Sequence, residues 1–316
     1  MKQFLSCDWG TSSFRLKLVD TGSLRTLAEL HHSQGISATN SNWQVQGTGQ
    51  SRFLFFASVI ASAIDALETK VNGSLSNVPV ILSGMASSSL GMIQLPYKQM
   101  PFKTDGSDLN VEQVKASKEF DHDVFIISGV CSTDDVMRGE ETQLVGAVQG
   151  DSNVETIYIL PGTHSKHISV KHGIAHDFRT YMTGEIFSLL SKNSTLSESI
   201  GDIQRVVNAD NADFFAGVKD SSNSNLLNQL FHVRSRFLLD KKGPEQNKSY
   251  LSGLLIGNEV QELSRRKMEK VIIVSSGMGD HYKVAMQVLK IAAPVSVISD
   301  SDVAIRGQVR IVSHAL

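Results

Sequence analysis

The sequence predicts a duplicated α/β fold built from two similar halves. Two observations carry this. A meander of three short strands, entered through a glycine-containing hairpin, occurs near the start of the chain and again at residues 155–180. Each copy leads into helical periodicity and into compact apolar runs that end at Ser or Gly, the pattern of buried parallel strands. Strand meander, helix, strand, helix, strand and helix thus come twice, and a cleft between the halves is the economical expectation.

In chain order, residues 3–9, 13–20 and 24–32 read as strands separated by the turn sequences "GTS" and "TGS". From Ser51 to Lys70 apolar residues fall at helical spacing, which predicts an amphipathic helix. "VPVILSG" (78–84) and "DVFIISGV" (123–130) predict buried strands, and the stretch between them, with Pro96, Pro101 and Gly106, is irregular. "STDDVMRGEETQLVGAVQG" (132–150) opens with capping residues, carries Val136, Met137, Leu144 and Val145, and stops at Gly150. It predicts one helix with Glu140 and Glu141 partway along.

The second half repeats the theme. A strand of alternating Ile, Tyr, Ile and Leu meets a Gly-Thr-His-Ser-Lys turn, a second strand follows, and His172-Gly173 turns into a third. Residues 193–226, rich in Asn, Ser and Asp, predict a surface insertion. The spacing then predicts a helix over 249–267, a strand over 270–277, a helix from Asp280, a strand over 293–299 and a last helix from Asp302.

Composition narrows the class of function. Of the 316 residues 41% are hydrophobic and 20% charged, which is enough apolar material for a sizeable core and excludes bulk disorder. A net charge of −2 argues against a nucleic-acid or membrane surface held by bulk electrostatics. Two cysteines, Cys7 and Cys131, are too few for a disulfide framework, and Cys7 is expected to pack as a small buried residue. The apolar part of "MKQFLSC" is shorter than the roughly 7–15 residues of a secretory signal. No run approaches the ~20 apolar residues of a membrane span. A cytoplasmic protein acting on small molecules is the expectation, with oligomeric state open and a homodimer among the options.

The hairpins bear the chemistry. In "DWGTSS" (8–13) and "PGTHSK" (161–166), glycine lets a ligand come close to the backbone, amides can converge on a phosphate, and hydroxyls add donors. An ordinary Gly-Thr turn would explain either one alone; two of them, each opening a repeated meander, favour phosphate binding. Asp8 could hold magnesium through its water shell. His164, His167, His172 and His176 lack the converging acid or Cys partners of a closed zinc site, so a phosphate-facing His164 is the better reading. "SRRKMEK" (264–270) reads as a solvated helix end.

The set of motifs is more specific than either hairpin. "DWGTSS", with Arg15 three residues on, resembles the first phosphate motif of the acetate and sugar kinase, heat-shock chaperone and actin superfamily, and "VIIVSSGMGDHY" resembles its adenosine motif. Within it, "VMRGEETQLVGA" (136–147), "PGTHSKH" (161–167), "DFRTYMTGE" (177–185) and "YLSGLLIGNEV" (250–260) look like the 2-dehydro-3-deoxygalactonokinase family.

That resemblance implies two RNase H-like (actin-like ATPase) α/β domains around a nucleotide cleft. They would span residues 1–132 and 153–316, with 133–152 connecting them and the last helix free to pack back on the first domain. It implies ATP and Mg2+ as cofactors, and phosphorylation of the terminal (6-) hydroxyl of 2-dehydro-3-deoxy-D-galactonate in galactonate catabolism. Asp8, Gly10, Thr11 and Ser12 would face the phosphates and the metal, Gly162, Thr163, His164 and Lys166 would close on the same phosphates, and Gly277 and Gly279 would lie against the adenosine. Members of the superfamily often begin the second hairpin with an Asp, whereas this chain has Leu160-Pro161, so more of the metal work falls on Asp8.

Glu140 and Glu141 are the candidate bases, because related exopolyphosphatases also place a Glu-Glu pair on the helix linking their halves. Adjacent helix positions point about 100° apart, so only one can face a site, and Glu141 is favoured. A guanidinium suits the carboxylate of the sugar acid, and Arg179 and Arg138 both fall in matching motifs, with ion pairs to Asp177 or Glu140 as the structural alternative. Ser83 and Gly84 would line the sugar pocket. The rival functions are an exopolyphosphatase-like phosphohydrolase and a nucleotide-switched binding or regulatory protein of the same superfamily.

Overall fold

The computed structural model describes residues 2–46, 49–150, 153–201, 208–223, 225–275, 277–299 and 302–315. Ser276 of the adenosine motif, residues 202–207 of the polar stretch and residues 151–152 of the expected connection lie outside them. The chain divides into two compact units, one of Met1–Asp151 with Gly173–Asp177 and Asp302–Leu316, the other of Ser152–His172 with Phe178–Ser301.

In the first unit, β1 (Gln3–Trp9), β2 (Phe14–Asp20) and β3 (Thr26–His32) form an antiparallel meander. Helices α1 (Ile36–Gln46) and α2 (Arg52–Val71) follow, then β4 (Val80–Gly84), the short β5 (Lys98–Gln99) and β6 (Phe102–Lys103), and β7 (Val111–Val114). The run continues with β8 (Val124–Ile127), β9 (Val130–Cys131), β10 (Val136–Met137) and α3 (Glu140–Ala147). The main sheet has the order β3-β2-β1-β4-β8-β7, with β4 parallel to both β1 and β8.

Helix α2 forms where its apolar spacing predicts. Ser51 caps it by accepting from the Leu54 N–H at 3.2 Å, and Phe56, Ala57, Ile60, Ala63, Ile64 and Leu67 make one buried face. That face meets Trp9 and Phe14, whose rings stand edge to face at 4.9 Å.

In the second unit, β11 (Thr156–Leu160), β12 (Ser165–Lys171) and β13 (Ile174–Tyr181) repeat the meander. Helices α4 (Thr183–Asn193), α5 (Ser197–Ile200), α6 (Ala212–Asp220), α7 (Leu226–Leu238) and α8 (Pro244–Gln261) come next. Then β14 (Lys270–Val274), α9 (Gly279–Val288) and β15 (Val295–Ile298) complete it. The strand order β13-β12-β11-β14-β15 repeats β3-β2-β1-β4-β8, again with the strands after the meander parallel to its first strand. Two α/β units of this order are the RNase H-like arrangement of the actin-like ATPase class. The start of β13 groups with the first unit, where Ile174 and Ala175 pair with Lys103 and Phe102 of β6.

The single helix predicted over 132–150 is not formed. Ser132 Oγ accepts the Asp135 N–H at 3.0 Å, closing a turn instead of capping a helix, and Val136–Met137 pairs with β9. Gly139 then takes φ +108°, outside the helical region, so α3 starts only at Glu140. The two acids therefore stand in the first turn, where the helix dipole favours negative charge.

Helix α10 (Val303–Ala315) ends the first unit by crossing α3. A Cβ on Gly307 would overlap the Thr142 carbonyl, and one on Gly146 would overlap that of Val303, so the backbones touch. Gly307→Ala should therefore destabilise the protein by about 1–3 kcal/mol, the usual cost of overpacking. A thermal midpoint unchanged from wild type would show that the crossing can open without loss.

Candidate functional site

The β1–β2 hairpin turns through Gly10, whose N–H donates to Ser13 O at 2.9 Å. Behind it lies the first turn of α1. The Ile36 N–H donates to Gly10 O at 3.0 Å and the Ser37 N–H to Thr11 O at 3.1 Å. In a trans peptide the C=O and the next N–H point in opposite directions, so the Thr11 and Ser12 amides face away from α1. Both residues are exposed. A Cβ on Gly35 would overlap Thr11 and Ser12, so glycine is what lets the helix come this close.

Asp8 sits beside this hairpin, opposite Arg15 on β2 and Ser83 on β4. Its side chain is 29% exposed, and Arg15 Nη1 is 3.5 Å from its Oδ2. Its enclosure raises the carboxyl pKa above the usual range; Arg15 draws it down, Glu140 pushes it up and Lys17 draws it down. Gly84 lies directly across from Trp9 at φ +85°, and Gly139 packs against Gly84, which brings α3's first turn to the end of β1. The structure thus collects Asp8, Gly10, Thr11, Ser12, Ser83, Gly84, Arg138 and Glu140 within the first unit.

The two adjacent glutamates differ sharply. Glu141 is fully buried, and both its oxygens accept the Gly139 N–H, at 3.0 and 2.8 Å, with Thr142 Oγ1 donating at 2.9 Å. Burial, then Glu140, pushes its pKa up to about 7, against the pull of these donors. Glu140 is only half-buried, accepts the Arg138 N–H at 2.9 Å and is the acid whose field reaches Asp8. The preference for Glu141 as the outward acid runs against its complete burial. Arg138 is held firmly: Nη1 donates to Ser87 O at 2.7 Å and Ser87 Oγ at 2.6 Å, and its guanidinium lies 4.1 Å from the Tyr97 ring centroid.

Asp8 with Glu140 close by suits magnesium, which takes one or two carboxylates and keeps several waters. Among the described residues no group of three or more His, Cys, Asp or Glu could hold a metal.

The second unit builds its hairpin in the same way. The Glu185 N–H at the start of α4 donates to Thr163 O at 3.0 Å, which turns the His164 amide outward, and a Cβ on Gly184 would overlap Gly162 O. A Cβ on Gly162 itself would meet nothing within 4 Å, so its face is open. His164 Nε2 is 2.5 Å from Glu185 Oε2. Lys166 is buried, with Nζ 3.4 Å from His164 O. Arg179 is paired with Glu262, which Tyr181 also holds. Gly277 leaves open space, whereas Gly279 is taken up by packing against Val297.

Several supporting residues escaped sequence reasoning. Gly35 and Gly184 each follow a third strand, a repeat that could have been noticed. Gln308 on α10 could not: fully buried, it donates through Nε2 to Cys7 O at 3.1 Å and to Ser83 Oγ at 2.9 Å, bracing β1 and β4 beside Asp8 from 301 and 225 residues away.

A family model for 2-keto-3-deoxy-galactonokinase matches residues 8–311, from Asp8 into α10. The chain belongs to this family. It is 28% identical to the 2-dehydro-3-deoxygalactonokinase of Escherichia coli (strain K12), over 99% of this chain and 98% of that protein. A Rhizobium meliloti (strain 1021) protein assigned the same activity is 29% identical, over 90% of this chain and 89% of its own. A crystal structure of a Sinorhizobium meliloti protein ascribed that activity superposes with a TM-score of 0.80 at 27% identity, covering 99% of this chain and 95% of that one. The family is one of enzymes, kinases with an alcohol group as acceptor, so the resemblance carried by the sequence motifs holds. Neither the phosphohydrolase nor the regulatory alternative is favoured by it. Among the described residues no helix is long and apolar enough to cross a membrane.

The raised pKa of Glu141 has a testable sign. With a folded pKa of about 7 against an ordinary 4.5, the native state holds a proton that the unfolded state releases, so stability falls as pH rises through that window. Glu141→Gln should remove this slope, worth roughly 3 kcal/mol across it. Denaturant melts of wild type and variant from pH 4.5 to 8 check this; parallel curves would rule the burial effect out.

Proposed function

We propose that this protein transfers the γ-phosphoryl group of ATP to the terminal (6-) hydroxyl of 2-dehydro-3-deoxy-D-galactonate, in the cytoplasm, as a step of galactonate breakdown. The observation that carries the reading is the family match over residues 8–311, which takes in both hairpins and the Asp8 cluster.

In this reading the outward amides of Thr11 and Ser12 donate to phosphate oxygens, as do the Gly162–His164 hairpin and Lys166 in the second unit. His164 is oriented by Glu185. Gly277, with its open face, lies against the adenosine. Asp8, with Glu140 beside it, would hold a magnesium ion through water; when bound, that ion supplies charge neutralisation on the phosphates. Arg138 rather than Arg179 pairs with the carboxylate of the sugar acid, because Arg179 is already paired with Glu262 while Ser87 and Tyr97 hold Arg138 in one orientation. Ser83 and Gly84 line the adjoining floor.

Glu140, the partly exposed acid, is the group that takes the proton from the sugar hydroxyl as its oxygen bonds to the γ-phosphorus and the bond to ADP breaks. Glu141 serves it from below by fixing the Gly139 amide and hence the start of α3. Most of the rate comes from positioning and electrostatics, as in phosphoryl transfer generally.

Asp8→Asn should keep the wild-type melting profile and lose most of the turnover in a coupled ADP-release assay, whereas retained turnover would sink the assignment. In the same assay a panel of keto-deoxy sugar acids should show saturation with the galactonate-derived compound; ADP release independent of any sugar acid would point to a hydrolase. Glu140→Gln should lower kcat by about 10²–10⁴, the range for general-base loss, with the KM for the sugar acid little changed. An unaffected kcat would remove Glu140 from the proton path.

A further inference from the structure

Beneath the second hairpin lies a buried acid that the reaction described above does not use. Glu259, on α8, is 3% exposed. Its Oε1 accepts from Ser165 Oγ at 2.6 Å and lies 2.8 Å from His167 Nε2; its Oε2 accepts from Thr183 Oγ1 and, at 2.8 Å, from the Tyr282 hydroxyl. A carboxylate has about four lone-pair sites, and here all four are used. Burial alone would raise its pKa, but the bonds and charge of His167 with the Ser165 and Thr183 bonds outweigh it and hold the acid below the ordinary range. The group is thus an anion in a dry setting, kept there by four side chains.

The partners explain what it does. Ser165 and His167 are the first and third residues of β12, the strand that leaves the Gly162–His164 turn. Thr183 opens α4, and two residues later Glu185 holds both the Thr163 carbonyl and the His164 ring. Tyr282 is on α9, the helix that begins at Gly279 in the adenosine motif. One carboxylate therefore ties together the hairpin strand, the helix that orients the hairpin and the helix of the adenosine segment.

We infer that Glu259 is a positioning residue for nucleotide: it sets the phosphate hairpin and the adenosine helix of the second unit in mutual register, and so determines affinity for ATP without touching it. This rests on the kinase reading above. The buried polar network has the form expected of a specifying device rather than a stabilising one, since a buried charge adds little net stability and its value lies in fixing one arrangement.

The test is calorimetric ATP binding to the full chain in the absence of sugar acid, alongside steady-state kinetics. In Glu259→Gln the amide presents N–H groups to two of the four donors, and the dissociation constant for ATP should rise tenfold or more. The KM for the sugar acid should stay within about twofold. Tyr282→Phe removes one donor, keeps the ring and should raise the ATP dissociation constant about threefold to tenfold; it carries the test if Glu259→Gln fails to fold. Glu259→Asp should recover part of the loss. Folded variants that bind ATP as tightly as wild type, or that lose ATP and sugar-acid affinity equally, overturn the inference and leave the kinase reading standing. A wild-type protein that binds no ATP overturns that reading and the inference with it.

Discussion

The constraint on which the rest depends is the backbone contact between each hairpin and the helix that follows its meander. In the first unit two N–H groups of α1 hold the Gly10 and Thr11 carbonyls, and in the second the Glu185 N–H of α4 holds the Thr163 carbonyl. Helix N-termini have donors to spare, and hairpin carbonyls satisfy them. The planar trans peptide then dictates the outcome, because a carbonyl fixed inward fixes the next amide outward. An outward-facing row of donors is thus the by-product of a structural bond. Gly35 and Gly184 are the sequence expression of that bond, since any side chain there would push the helix off the turn.

The two copies use this frame differently. At the end of β1 stands an acid, Asp8, across from Arg15; at the corresponding end of β11 stands the buried Leu160, across from Lys166. The first unit therefore offers carboxylates at its hairpin, Asp8 and Glu140, the second raising the pKa of the first. The second offers a hairpin with no acid at its strand end and places its own carboxylate, Glu259, beneath the surface, where it is saturated with hydrogen bonds. One copy keeps its negative charge where a cation can reach it, and the other spends its charge on internal order. The two units share the backbone device and differ in where their carboxylates stand.

How much of this was legible in the sequence follows from range. The meanders and the strands after them were readable because period-two alternation and turn residues are local signals, and the two sheets share one order over these strands. The helix over 132–150 was misread because Ser132 and the aspartates after it serve equally well in a cap or a turn, and Gly139 decided between them only through its contact with Gly84, 55 positions away in the chain. For the Glu140–Glu141 pair, which acid is the more exposed depends on where α3 starts, and it starts at Glu140 rather than at the capping residues after Cys131. Glu259 and Gln308 were illegible as site-supporting residues for the same reason: their partners lie 23–94 and 225–301 positions away, and no spacing rule reaches that far.

The position of α10 gives the first unit a further property. Its sheet is laid down by the first 127 residues, yet the Gln308 amide that joins Cys7 O to Ser83 Oγ comes from the last helix. Arg306 and Arg310 of the same helix donate to the carbonyls of Gly146, Val145 and Val148, satisfying the end of α3. The glutamates at the start of α3 accept from the backbone N–H groups of Arg138 and Gly139, the carbonyls at its end accept from arginines of α10, and this second set of donors comes from the far end of the chain. The strand ends that carry Asp8 and Ser83 are braced by the last helix in the chain. A site made this way draws on both ends of the chain, from Asp8 on β1 to Gln308 on α10.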